Sequence, residues 1–137
     1  MYRQIKILFL LLVLVQGLHS IEEYYGKLWE VFIPAKYLTS FVSNNHEIGF
    51  LVINVGLFIF GLICWFFIIN NKYLHIRIFI WLWIVIEIIN GIGHPLWALI
   101  ENSYEPGLIT APFLLITAVY LSILLVRYGQ SSKFIEN

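Results

Sequence analysis

Three ionisable side chains follow an apolar run near the start of the sequence: His19, Glu22 and Glu23. Their spacing is i, i+3 and i+4, and positions with this spacing lie on one side of an α-helix. Imidazole and carboxylate groups are the ligands that proteins offer to Zn, Fe and Mn, and they also act as general acids and bases. This side of the helix is therefore a candidate for metal binding or proton transfer.

A second polar set lies inside a long apolar segment. Glu87, Asn90 and His94 stand at i, i+3 and i+7, so they also share one side of a helix. An ionisable group at membrane depth costs about 2.5–3.5 kcal/mol on insertion scales, so it usually faces the bundle interior and has a partner or a task. Tyr104, in the following stretch SYEPG, adds a phenol hydroxyl beyond the end of this segment.

The composition indicates what kind of elements position these groups. The chain has 137 residues, of which 61% are hydrophobic and 12% are charged. An average soluble domain is about 45–50% apolar and about 25% charged, so the sequence predicts an integral protein of the lipid bilayer. Eight basic and eight acidic residues give a formal net charge of zero, and nothing in this balance points to nucleic acid. Cys64 is the single cysteine, which excludes a disulfide within the chain.

Three apolar segments are long enough to cross a hydrocarbon layer of about 30 Å, where an unpartnered backbone must be helical. With a further helix at the N-terminus they predict an all-α fold, a polytopic four-transmembrane-helix bundle in one domain, residues 1–137. The expected helices cover about residues 5–24, 47–70, 76–100 and 107–127.

The sequence also predicts the structure of two segments that connect the long helices. Residues 26–45 are aromatic and mixed in polarity, which predicts a short interfacial helix between helices 1 and 2, broken at Pro34. Pro106 suits the first turn of helix 4. The N-terminus of that helix carries free N–H groups and a partial positive charge, which could hold an anionic ligand or a glutamate of the cluster.

The N-terminal segment allows two interpretations. A basic start followed by the nine-residue apolar run 7–15 is typical of a cleaved signal peptide. The alternative is a retained helix, from about residue 5 to residue 24, whose polar end faces other parts of the protein.

The basic residues predict the orientation in the membrane. Lys27 and Lys36 fall on the side of the bundle opposite to the termini. The side that holds both termini carries the other six: Arg3, Lys6, Lys72, Arg77, Arg127 and Lys133. The positive-inside rule therefore predicts cytoplasmic termini, and we expect the plasma (inner) membrane as the location.

The same orientation places the polar groups at one level. His19 and Asn90 each lie 13 residues beyond a basic residue of their helix, roughly 20 Å along its axis. Glu22, Glu23 and His94 lie at roughly 25 Å, and Glu87 at roughly 15 Å. We therefore expect the polar groups of the bundle to converge in its outer half.

Three motifs resemble a known family. Residues 19–23 have the pattern HxxEE, residues 90–94 the pattern NxxxH and residues 104–107 the pattern YxPG. In this order, over roughly residues 16–118, they are similar to the HXXEE-domain family of small membrane proteins of unknown function. The resemblance implies that these motif residues matter and that the first helix is retained. An enzymatic role has been suggested for this family.

The residue types leave several functions open. The first is a metal-dependent membrane enzyme acting on a lipidic or apolar substrate, with Zn, Fe or Mn. Its expected metal ligands are His19, Glu22, Glu23, Glu87 and His94, and its expected catalytic groups are Glu23, Glu87, Asn90 and Tyr104.

The other functions need no resident metal. Desolvated Glu and His could act as the acid–base pair of an isomerase. The same groups could relay protons in a small ion- or proton-coupled transporter or membrane subunit. They could also be a satisfied polar network that stabilises the bundle.

Overall fold

The computed structural model describes residues 2–70 and 76–133, and these residues are almost entirely helical. Within these ranges there are six α-helices and no strand. They are α1 (Tyr2–Tyr25), α2 (Leu28–Val31), α3 (Ile33–Ser40), α4 (His46–Asn70), α5 (Ile76–Glu101) and α6 (Ala111–Lys133). The all-α polytopic bundle predicted from the sequence is confirmed.

Three of these helices are long and apolar enough to cross a membrane: Arg3–Tyr25, His46–Phe67 and Arg77–Glu101. The apolar part of α6, Ala111–Arg127, is shorter. The predicted start of the fourth helix at residue 107 was wrong, because Gly107 has a φ of 92°, a conformation that favours glycine, and the helix begins at Ala111. Pro106 therefore lies in the preceding turn, and Pro112 occupies the first turn of α6.

The long helices pack around an apolar core. α6 packs against α5 and α1, α1 also packs against α4, and α4 approaches α5 more sparsely. Phe9 of α1 meets Trp83 of α5 edge to face, and both side chains are fully buried. Apolar residues on the outer sides of all four helices are exposed, among them Leu18, Val55, Ile89 and Ile116. Lipid contact explains this pattern, since the hydrocarbon core does not penalise exposed apolar side chains.

The segment between α1 and α4 forms two short helices where one was predicted. The chain is extended at Phe32, two residues before the expected break, because Pro34 stands in the first turn of α3 and does not interrupt it. Leu28 and Trp29 of α2 pack on Phe50 of α4 in a small apolar cluster. The outer surface of the segment is rich in exposed apolar side chains: Val31, Ile33, Tyr37, Leu38 and Phe41.

Lys72 lies outside the described residues. The side of the membrane that each end of the bundle faces stays a prediction.

Candidate functional site

The polar residues of the bundle meet where the C-terminal parts of α1 and α5 approach the turn before α6. Besides Thr39 and Thr117, the buried polar side chains of the described residues belong to this region: Gln16, His19, Glu23, Glu87 and His94. The other half of the bundle interior is formed by apolar side chains such as Ile5, Ile80 and Leu121. The polar groups therefore lie towards one end of the bundle.

Glu23 lies between two imidazole rings. Its Oε1 is 3.3 Å from Nε2 of His19, one turn earlier on α1, and 3.3 Å from Nε2 of His94 on α5. The two rings touch edge to face, with centroids 4.7 Å apart. Exposed fractions are 0% for His19, 7% for Glu23 and 8% for His94, so water reaches this group poorly. One ligand atom from each of the three residues lies within 4.8 Å of the other two, a spacing at which they could hold a metal ion.

The hydrogen bonds of Thr110 define the state of His19. The Thr110 hydroxyl donates to Glu22 Oε2 over 2.6 Å and lies 2.7 Å from Nδ1 of His19. Because a hydroxyl has one hydrogen and its short bond to the carboxylate uses it, the hydroxyl accepts from His19, and Nδ1 carries a proton. In a neutral His19, Nε2 then carries the lone pair, and it lies 3.3 Å from Oε1 of Glu23.

Glu22 faces the turn before α6 and stands apart from the cluster of His19, Glu23 and His94. Its carboxylate accepts from the backbone N–H groups of Ile109 and Thr110, each at 2.9 Å. It also accepts from the Thr110 hydroxyl and from the Tyr104 hydroxyl at 2.7 Å. The sequence analysis expected N–H groups at the start of the last helix to be able to hold a glutamate. They do hold Glu22, but the donors belong to Ile109 and Thr110, the two residues that precede α6.

Tyr104 is held in its neutral form by the same carboxylate. Burial raises the pKa of its phenol to about 12, and the hydrogen bond to Glu22 and the negative charge of that group act in the same direction. Tyr104 therefore donates a hydrogen bond at neutral pH, and it orients Glu22.

Gly107 allows the turn before α6 to lie directly on the imidazoles. A Cβ at this position would lie 2.7 Å from Cε1 of His19 and 2.7 Å from Nδ1 of His94. The preceding Pro106 packs equally closely on Gly26, just beyond α1, where a Cβ would lie 2.6 Å from the proline ring. The YxPG motif thus closes the end of the bundle over the cluster, and its glycine is required by both conformation and space.

Glu87 lies one layer deeper and is fully buried. Asn90 donates to its Oε2 over 3.3 Å. With its amide nitrogen turned to the carboxylate, Gln16 of α1 donates to the same oxygen over 2.7 Å. Glu87 is near enough to Glu23 for the two charges to interact, but it is not a member of the His19–Glu23–His94 group.

The structure thus brings together three of the five predicted ligands and gives Glu22 and Glu87 other partners. The hydroxyl of Thr110 and the amide of Gln16 were missed by the sequence analysis. Two signals were available for them. Thr110 directly precedes Ala111-Pro112, a typical helix start, and Gln16 lies three residues before His19 on the same side of α1.

Comparison with known protein families identifies a matching family model. Residues 9–121 match the model described as "Protein of unknown function with HXXEE motif". The chain belongs to the HXXEE family. Searches of curated proteins and of solved structures return no match. In this HXXEE protein the histidine of the motif, His19, and its second glutamate, Glu23, belong to the cluster. The first glutamate, Glu22, binds the turn that covers the cluster.

Proposed function

We propose that this HXXEE protein is a metal-dependent membrane enzyme and that His19, Glu23 and His94 hold the metal. The observation that carries the proposal is the convergence of three buried ligand atoms on one point, two of the three separations being 3.3 Å. Ligands that surround Zn tetrahedrally at about 2.0–2.2 Å are separated from each other by about 3.3–3.6 Å. The donor spacing therefore fits a small divalent metal.

The electrostatics of the cluster support the same proposal. In the neutral form of His19, Nε2 and a carboxylate oxygen of Glu23 are both acceptors, and they face each other in a buried environment. Two acceptors at this distance repel each other unless a proton or a cation lies between them. Two imidazoles and one carboxylate are ligands suited to Zn, Fe or Mn.

The residues around the cluster have different roles in the proposed enzyme. The bound metal would supply a Lewis acid and lower the pKa of a coordinated water. Glu22 acts through Thr110 to hold His19 in the tautomer that leaves Nε2 free, as groups behind metal ligands usually do. Glu87 and Asn90 form a second polar pair from which a proton could move towards Glu23. The cluster lies between membrane-spanning helices, so we propose a lipidic or apolar substrate.

Metal analysis of the detergent-purified protein tests this function. We expect a stoichiometric transition metal in the wild type and its loss in Glu23→Ala and His94→Ala. His46→Ala is the matched control, because His46 bonds to Thr39 outside the cluster, and it should retain the metal. A metal-free wild type whose unfolding temperature is unchanged by adding Zn, Fe or Mn would refute the proposal.

The second candidate is a metal-free acid–base enzyme such as an isomerase. One observation favours it: a single oxygen of Glu23 is within 3.3 Å of both imidazoles and could share a proton with either. This candidate predicts that the metal-free protein is fully stable. An ion- or proton-coupled transporter has less support, since the described interior of the opposite half of the bundle is formed mainly by apolar side chains.

A further inference from the structure

A groove runs along the outside of the bundle between α1 and α4. It has a volume of about 570 Å³ and is lined mainly by apolar side chains, among them Leu14, Ile21, Leu51, Val55 and Phe58. On α1 the lining extends from Leu14 to Tyr25, which is about 16 Å along the helix axis. This length matches one leaflet of a hydrocarbon layer of about 30 Å.

A polar pocket of about 330 Å³ lies where α2 and α3 meet the start of α4. Trp29 and Asn45 form part of its lining. The rest comes from side chains that carry or can carry charge: Glu30, Lys36, His46 and Glu47. In contrast to the groove, this pocket offers groups of both signs.

The groove and the pocket meet at one hydrogen bond. The hydroxyl of Tyr24, which lines the groove, donates over 2.6 Å to Oε1 of Glu47, which lines the pocket. Phe50 of the groove packs on Trp29 of the pocket, with ring centroids 5.0 Å apart. The apolar groove at membrane depth is therefore adjacent to the charged pocket at the end of the bundle.

The pocket has groups to offer to a ligand. Lys36 is exposed and has no ion-pair partner in the described ranges 2–70 and 76–133. The hydroxyl of Thr39 donates to the carbonyl of Lys36 over 2.9 Å, so it accepts from Nδ1–H of His46 at 3.0 Å, and Nε2 of a neutral His46 is a hydrogen-bond acceptor. Glu30 makes an exposed contact with Lys27 at 3.5 Å, which is a weak interaction.

We infer that the groove and the pocket together bind one zwitterionic phospholipid. An acyl chain lies in the groove, the phosphate faces Lys36, and the ammonium group faces Glu30 and Glu47. Trp29 adds an aromatic surface beside the ammonium group, a recurrent partner of such cations. Charge complementarity favours this head group over an anionic one, because the pocket carries two carboxylates and one permanently charged ammonium.

This site is distinct from the cluster of His19, Glu23 and His94. Gly17 and Ile21 line the groove, whereas His19 and Glu23 point from α1 into the bundle, where they are buried. The inference therefore holds or fails independently of the proposed enzyme.

Native mass spectrometry of the full-length protein in detergent tests the inference. Phosphatidylethanolamine and phosphatidylglycerol with identical acyl chains are titrated separately. We expect one molecule of phosphatidylethanolamine to bind more tightly than phosphatidylglycerol. Lys36→Gln and Glu30→Gln should each weaken its binding about two- to fivefold, the size of an exposed charge contact. Glu101→Gln removes a charge at the same end of the bundle from an exposed residue that lines neither the groove nor the pocket, and it should bind like the wild type.

A third variant tests the groove. Val55→Trp fills it and should abolish binding of both lipids. If this variant does not fold, Lys36→Gln and Glu30→Gln still decide, because both side chains are exposed. Equal affinity for the two lipids, or unchanged phosphatidylethanolamine binding in Lys36→Gln and Glu30→Gln, would overturn the inference. The inference would also be overturned if Lys36→Gln weakened the binding of both lipids equally while Glu30→Gln had no effect, because that pattern indicates recognition of the phosphate alone.

Discussion

Glu22 and Thr110, 88 residues apart in the sequence, are joined by two hydrogen bonds to one carboxylate oxygen, from the backbone N–H of Thr110 at 2.9 Å and from its hydroxyl at 2.6 Å. This pair connects the end of α1 to the start of α6. The Thr110 hydroxyl that donates to Glu22 also accepts a hydrogen bond from Nδ1 of His19, 2.7 Å away, so it links the carboxylate to the imidazole. One carboxylate therefore supports the turn over the cluster and orients a residue of the cluster.

Replacement of the Thr110 hydroxyl should weaken metal binding without removing any proposed ligand. We expect Thr110→Val to lower metal affinity about 10- to 100-fold, because Nδ1 of His19 loses the acceptor that fixes its tautomer. Thr110→Ser should retain most of the affinity. Thr117→Val removes from α6 a hydroxyl that bonds to the carbonyl of Phe113, and it should leave metal affinity unchanged. Competition with a chelator measures all three variants, and equal affinities for Val and Ser at position 110 would contradict the relay.

The two adjacent glutamates should give different phenotypes. Glu22→Gln leaves N–H donors facing an amide, and we expect a loss of about 1–2 kcal/mol in stability, since the group is only partly buried. Glu23→Gln removes the charged ligand between the imidazoles, and we expect loss of the metal. Thermal unfolding in detergent of the metal-stripped proteins separates the two effects, because only Glu22→Gln should then lower the unfolding temperature. The reverse ranking would show that the roles assigned to the two residues are wrong.

The helical pattern of the sequence predicted much of this arrangement. The i, i+4 spacing of His19 and Glu23 and their depth relative to His94 follow from the helix repeat alone. The different partners of Glu22 and Glu23 do not follow from the helix repeat. Adjacent helical residues point about 100° apart, so the partners of each glutamate depend on which segment packs against its side of α1. For Glu22 that segment is the irregular turn 102–110, whose path depends on Gly107 and on tertiary contacts with α1.

Labelling of introduced cysteines tests the orientation predicted from Lys and Arg. In a Cys64→Ala background, Ser43→Cys and Ser103→Cys lie at the bundle end that holds the cluster, and Gln4→Cys lies near the N-terminus, at an exposed position that carries no charge. We expect a membrane-impermeant maleimide to label the first two in intact right-side-out vesicles, because the basic residues favour cytoplasmic termini. Gln4→Cys should react only after permeabilisation. Labelling of Gln4→Cys in intact vesicles would show that the orientation is the opposite one.

Two glycines near the cluster should respond oppositely to alanine. Gly107→Ala combines a φ of 92° with a Cβ that would lie 2.7 Å from both imidazoles, and we expect it to cost at least about 1–3 kcal/mol and to disturb metal binding. Gly93, one residue before His94, has nothing within 4 Å of the added Cβ, so Gly93→Ala should stabilise α5 by about 0.5–1 kcal/mol. Unfolding temperatures and metal content check both. A tolerated Gly107→Ala would show that the turn does not lie on the cluster.

The pH dependence of Tyr104 follows from its raised pKa of about 12, against about 10 for an unperturbed tyrosine. Because the folded pKa is the higher one, the neutral phenol stabilises the fold below pH 10, and this contribution is lost as the pH rises through about 12. The difference in phenolate absorbance between the wild type and Tyr104→Phe should therefore titrate near pH 12. In a Glu22→Gln background the midpoint should fall towards 10, since the negative charge and its hydrogen bond are gone. A midpoint at or below 10 in the wild type would mean that Tyr104 does not bind Glu22.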